Sequence, residues 1–184
     1  MMRTMRVLGT GMGLMAALAA PAALSAQAST DRSLTLGVSG GLSLPTGDFT
    51  EGLESGYNLT GHVYLKPATF PSLRFRGDVS FDKWNAEANN AGSFRSLGIV
   101  ANAMYEFPTS GTSIARPYLL GGLGAFNAKA SEADDSDTNI GVQLGGGLNF
   151  QLSGFTTFAE AKFVNVFTDG SSLRYIPITF GVRF

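Results

Sequence analysis

His62 is the only histidine in the chain. A Ser–His–carboxylate relay needs such a base, near neutral pKa and within reach of a nucleophile. Its neighbours argue for a quieter role. Residues 57–66 alternate, with Tyr57, Leu59, Val63 and Leu65 on one side and Asn58, Thr60, His62, Tyr64 and Lys66 on the other. His62 therefore sits mid-strand on a polar face, where it reads as a hydrogen-bonding residue. Hydrolysis of a membrane lipid would require it on the opposite, outward side. No catalytic residue is assigned, and the chain is not expected to be an enzyme.

Two other patterns invite chemistry. Glu132, Asp134, Asp135 and Asp137 are oxygen donors close enough in sequence for Ca²⁺, yet they lack EF-hand spacing and its glycine pivot. A solvated loop fits them better. Gly121-Gly122-Leu123-Gly124 and Gly145-Gly146-Gly147 superficially resemble phosphate cradles, but no helical pattern and no Lys-Ser/Thr pair follows. They read as strand glycines that leave room for curvature and for large side chains opposite. No metal or cofactor is expected, and zero cysteines exclude a disulfide framework and a thiolate site.

What must position these residues is a set of strands. Apolar residues recur at period two, broken by Gly, Pro and Ser, and helical periodicity is hard to find. Eight strands are expected: 33–44, 57–66, one from Leu73 through Asp82, 93–107, 118–128, 139–152, 155–167 and 175–184. The third alternates most clearly, with Phe75, Val79 and Phe81 against Arg74, Arg76, Asp78, Ser80 and Asp82. In the last, Ile176, Ile178, Phe180, Val182 and Phe184 share one apolar face up to the final residue. The facing of the fifth stays open between Tyr118/Leu120/Phe126 and Leu119/Leu123/Ala125. In the seventh, Phe158, Val164 and Val166 fall on the side of Glu160 and Lys162.

The charged faces decide which way the sheet turns. Charges cannot face hydrocarbon cheaply, so the apolar sides point to lipid and the polar sides inward. An even number of strands, each about 10 to 12 residues long, suits a bilayer core about 30 Å thick. Closure follows, because an open edge in lipid would leave backbone groups unpaired. The expected fold is all-β: an eight-stranded antiparallel up-and-down transmembrane barrel. Its lumen charge network comprises Lys66, Arg74, Arg76, Lys162 and Arg183 against Asp78, Asp82, Glu106 and Glu160, with His62 beside them. A bore of eight strands is only wide enough to be filled by side chains, so these charges should pair and plug it. Arg74 and Arg76 are expected to meet Glu106. Tyr57, Trp84, Tyr105, Phe107, Tyr118, Phe155 and Phe167, near strand ends, are expected in an interfacial aromatic belt, with an anchor for an outer loop as the alternative for Trp84.

The first 28 residues read as a cleaved export signal. Arg3 and Arg6 precede an apolar stretch from Val7 to Leu24, and Ala26-Gln27-Ala28 offers small residues for cleavage. Cleavage after Ala26 and retention as a short anchor are the alternatives. Residues 29–184 form the barrel domain. Losing two arginines leaves 11 basic residues against 14 acidic ones, a balance near −3 without the footprint of a nucleic-acid partner. With both termini in the periplasm, the longer acidic or polar connections 45–56, 85–92 and 129–138 would lie outside, whereas 67–71 and 153–154 are short. The connection 109–116 breaks that pattern.

Several stretches carry a family resemblance: Leu44-Pro45-Thr46-Gly47-Asp48-Phe49, Arg116-Pro117-Tyr118-Leu119-Leu120-Gly121-Gly122-Leu123-Gly124, Ala159-Glu160-Ala161-Lys162-Phe163 and the final Phe184. In this order they resemble the small outer-membrane β-barrel family, the group with the OmpA-like membrane domain and its eight-stranded relatives. The resemblance covers residues 29–184. It implies the outer membrane of a Gram-negative-type bacterium, contact with outer-membrane lipids and lipopolysaccharide, and delivery by periplasmic chaperones and barrel-assembly machinery. A structural or surface-interaction role is expected, with a small porin as the alternative, and the closed barrel is expected to be a monomer. Pro177, inside the closing strand, departs from the pattern. No peptidoglycan-binding domain is expected after the barrel, so a role in anchoring the cell wall is not expected either.

Overall fold

The computed structural model describes residues 33–47, 53–86, 92–110, 113–130, 137–168 and 171–184. The expected signal segment 1–28 lies outside them, as do Glu132, Asp134 and Asp135. The strands are β1 (Leu34–Thr46), β2 (Gly56–Leu65), β3 (Leu73–Asn85), β4 (Ser93–Glu106), β5 (Ala115–Ala130), β6 (Asp137–Gln151), β7 (Thr156–Thr168) and β8 (Ser171–Arg183). Each pairs antiparallel with the next, and β8 returns to β1 to close an eight-stranded up-and-down barrel. The closing seam runs from Gly37 opposite Arg183 to Thr46 opposite Arg174.

Alternation sets the two surfaces. On β8, Ile178, Phe180 and Phe184 are exposed and Ile176 and Val182 are half-buried on the same face, while Tyr175, Pro177 and Thr179 are buried inside. β5 resolves the facing that its glycines leave open. Tyr118, Leu120 and Phe126 are buried inside, whereas Leu119 and Leu123 point out, Leu123 at 66% exposure. β5 and β6 extend further than the periodicity suggests, β5 to Ala130 and β6 from Asp137, and β8 begins earlier, at Ser171. One rim of the barrel, the terminal rim, carries the start of β1 and the end of β8. The distal rim lies opposite.

Pro177 has its place in the ladder. Pairing between β7 and β8 skips from Ala161–Ile178 to Val164–Tyr175, while Ser43–Pro177 and Leu44–Ile176 stay paired across the β1–β8 seam. The missing proline N–H thus weakens one seam and spares the other.

Candidate functional site in the barrel lumen

Inward-facing residues of all eight strands fill the bore in layers. At its centre Arg76 of β3 is 1% exposed. Its Nη1 donates to Glu160 Oε2 on β7 at 2.6 Å and its Nη2 to Glu160 Oε1 at 3.0 Å. Nη2 also donates to Asp78 Oδ2 at 2.9 Å. Its Nε lies 2.9 Å from Asp78 Oδ1, a charge contact without hydrogen-bond alignment. A guanidinium can leave water only when its donors find oxygens, and two carboxylates supply them here. Lys162 adds a looser contact, with Nζ 3.4 Å from Glu160 Oε1 and 3.8 Å from Asp78 Oδ2.

Neutral groups complete this centre. Tyr118 donates to Glu160 Oε2 at 2.8 Å, Asn102 donates to Asp78 Oδ2 at 3.0 Å, and Gln143 donates to Asn102 Oδ1 at 2.5 Å. His62 Nδ1 is 2.7 Å from Asp78 Oδ1, and its Nε2 is 2.9 Å from Ser39 Oγ. Because the carboxylate can only accept, the ring carries a proton on Nδ1, and in the neutral imidazole the serine hydroxyl then donates to Nε2. Ser39, His62 and Asp78 thus stand in the hydrogen-bond order of a hydrolytic triad. Their surroundings differ from one. Asp78 is shared with Arg76, Asn102 and Gln143, all three residues are buried, and Phe158 packs edge-on against the His62 ring at 5.6 Å.

Toward the distal rim, Asp82 accepts from Asn58 at 2.8 Å, and Thr60 donates to Asn58 at 2.9 Å. Beyond lies an apolar layer of Trp84, Val100, Phe126, Val164, Val166, Leu173 and Tyr175. Trp84 is 0% exposed and donates from Nε1 to the Ser43 carbonyl at 3.0 Å. On the other side, Tyr64, Met104, Tyr118 and Leu120 form a second apolar layer. At the terminal rim, Glu106 lies 2.9 Å from Arg74 Nε and accepts from Arg183 at 3.2 Å and from Asn149 at 3.0 Å. Glycines on the inner face make this filling possible. A Cβ on Gly181 would lie 2.3 Å from Phe158 Cζ, and one on Gly147 would lie 2.6 Å from Tyr118 Oη.

The lumen network expected from the sequence is largely brought together, with corrections. Arg74 meets Glu106, but Arg76 reaches Asp78 and Glu160 instead, because it lies one inward step deeper and turns across the bore. Asp82 sits in a neutral hydrogen-bonded cluster, and Lys66, just past β2, is in no ion pair among the described residues. Trp84 and Tyr118 leave the expected aromatic belt for the interior, since they share the inward phase of Asp82 and of Leu120. Tyr57, Tyr105, Phe107, Phe155 and Phe167 remain exposed outside. Ser39, Asn102, Gln143, Asn149, Tyr64 and Tyr175 also join the lumen, and only their inward phase marks them in the sequence. Among the described residues, no group of three His, Cys, Asp or Glu side chains could hold a metal ion.

A closed barrel with aliphatic and aromatic residues outside and buried charges inside is a membrane-spanning β-barrel, the inverse of a soluble one. The chain belongs to the outer membrane protein beta-barrel domain family, whose model matches residues 14–184. It is an outer-membrane protein of the Gram-negative type. Its fold is similar to Neisserial surface protein A, at 18% identity over 83% of this chain and 96% of that one, with a TM-score of 0.67. It is similar to a major outer membrane protein from Thermus thermophilus, at 11% identity over 83% and 99% of the two chains, with a TM-score of 0.54. It is also similar to Ail of Yersinia pestis, solved with the heparin analogue sucrose octasulfate, at 17% identity over 82% and 97%, with a TM-score of 0.50. These are likenesses of fold. No curated protein sequence matches the chain.

Proposed function

We propose that this chain is a non-enzymatic, sealed barrel that serves the outer membrane as a structural element and a surface for contact. The observation that carries the reading is the Arg76–Glu160 fork, which joins β3 to β7 across the bore at 2.6 and 3.0 Å. Apolar clusters packed inside the bore, one around Trp84 and one around Met104, support a filled rather than a conducting interior. Ser39, His62 and Asp78 act as part of the filling. Catalysis would need an open nucleophile and donors for an oxyanion, and Phe158 occupies the space beside His62.

In this reading the terminal rim faces the periplasm and the distal connections face outward, available to surface partners. Outer-membrane lipids and lipopolysaccharide cover the belt, and periplasmic chaperones and the barrel-assembly machinery deliver the chain. A barrel without a free edge works as a monomer, and nucleic acid is not a partner. The test is single-channel conductance in planar bilayers, using preparations whose unheated gel mobility shows a closed barrel. Silence is expected. Stable, reproducible steps would replace the sealed barrel with a small-solute channel.

A further inference from the structure

We propose that Asp82, with the hydroxyl oxygens of Ser43, Ser96 and Tyr175, forms a buried binding site for a hard monovalent cation of the Na⁺ type. The charges inside the bore point to it. Away from the terminal rim, the buried cations are Arg76 and Lys162 and the buried carboxylates are Asp78, Glu160 and Asp82. Both cations turn to Asp78 and Glu160. A proton added to His62 would also serve Asp78, the carboxylate that its Nδ1 meets. Asp82 is 1% exposed and in no ion pair with any described residue. It accepts from neutral donors, Asn58 at 2.8 Å and Tyr175 at 3.5 Å. A carboxylate taken out of water needs a counter-charge, and the surplus sits here.

The register gathers oxygens around it. Thr179, Gly41, Asn58, Asp82 and Ser96 lie directly opposite one another in turn, from β8 through β1, β2 and β3 to β4. Gly41 puts no side chain into that inward row. Ser43, one inward step along β1 from Gly41, stands beside the Asp82 carboxylate, and Ser96 stands beside the Tyr175 hydroxyl. Both serines are 0% exposed, and neither hydroxyl makes an aligned hydrogen bond. Thr179 Oγ1 is buried in the same way. One inward step beyond Asp82, Trp84 is held by the Ser43 carbonyl at 3.0 Å and closes the distal side.

The donor set selects the ligand. Carboxylate and hydroxyl oxygens suit a hard ion, and one carboxylate among neutral hydroxyls matches a single positive charge. A divalent ion would lack carboxylates, since no group of three acidic or imidazole ligands exists among the described residues. A proton on Asp82 would cancel the charge but leave the Ser43 and Ser96 oxygens idle, whereas a cation engages them. The site needs the closed ring and not a sealed bore.

The test is the urea midpoint of the chain refolded into phosphatidylcholine vesicles, in NaCl and in choline chloride at equal ionic strength and neutral pH, read by heat-sensitive gel mobility. With Na⁺ at about ten times its dissociation constant, the folding equilibrium constant should rise about tenfold over choline. Asp82→Asn keeps the shape without the charge, so it should close and lose the Na⁺ response. Ser43→Ala with Ser96→Ala should weaken the response while Asp82 is intact; Arg74→Gln, at the terminal rim, should keep it. Equal midpoints of the parent chain in the two salts would overturn the proposal. So would a response that survives in Asp82→Asn, which would mark a general salt effect, or one undiminished in the serine double variant. A parent midpoint indifferent to Na⁺ but raised by acid, with no acid effect in Asp82→Asn, would assign a proton to the carboxylate and overturn it too.

Discussion

Arg76 and Glu160 meet fork to fork across the bore, one from β3 and the other from β7, with hydrogen bonds of 2.6 and 3.0 Å. β4, β5 and β6 lie between them along the sheet, so no ladder holds them together. Their contact is a strut through the interior.

Removing one end of that strut leaves a buried charge. Arg76→Leu or Glu160→Leu should each destabilise the folded barrel by about 3 to 5 kcal/mol. The double variant should recover a large part of that loss, since neither charge then remains. Urea titration followed by heat-sensitive gel mobility in lipid vesicles reads both. Unchanged midpoints for the single variants would remove the strut from the account of stability.

The pair at the terminal rim should matter less. Arg74 and Glu106 retain side-chain exposures of 14% and 9%, and Glu106 has two further donors in Arg183 and Asn149. Arg74→Gln should therefore cost about 1 kcal/mol or less by the same titration. A loss as large as that of Arg76→Leu would show that the rim, too, is closed to water.

Trp84, the chain's single tryptophan, offers a direct check of the lumen assignment. Its ring is buried against Tyr175 at 4.9 Å and Phe94 at 6.0 Å. In vesicles its emission should be blue-shifted and little quenched by brominated lipid chains. A belt tryptophan would contact those chains, so strong quenching would return Trp84 to the outside.

Two glycines separate the lumen from the lipid face. A Cβ on Gly98 would lie 2.6 Å from Ser80 Oγ and 2.8 Å from Phe126 Cε1, whereas one on Gly61 would meet nothing within 4 Å. Gly98→Val should cost about 1 to 3 kcal/mol through overpacking. Gly61→Val, on the outward face, should stay within about 0.5 kcal/mol of the parent. Equal midpoints for the two would mean that the bore is looser than its packing indicates.

Much of this architecture is legible in the sequence because a strand has only two sides. The alternation of Arg74, Arg76, Asp78, Ser80 and Asp82 suffices to place β3, and Ile178 with Phe180 suffices for β8. β5 is different: glycines at 121, 122 and 124 remove the contrast between its faces, so only its neighbours settle it. Position along a strand misleads for Trp84 and Tyr118, where an aromatic near a strand end suggests an interface. The phase that Trp84 shares with Asp82 carries the correct answer. The Arg74–Glu106 contact is legible as a meeting of adjacent strand ends. That of Arg76 with Glu160 is not, since it depends on which strand lies across the bore. Ser39 is hidden by its own surroundings, being one of several small hydroxyls on a glycine-rich strand.

The burial of Trp84 also carries timing. Its Nε1–H donates to the Ser43 carbonyl on β1, and its ring packs on Tyr175 of β8. Those are the two strands that complete the circle, and Trp84 belongs to neither. An inserted but unsealed sheet would therefore leave the indole in a different environment from the finished ring. Time-resolved emission during refolding would then separate entry into the bilayer from the instant at which the first strand meets the last.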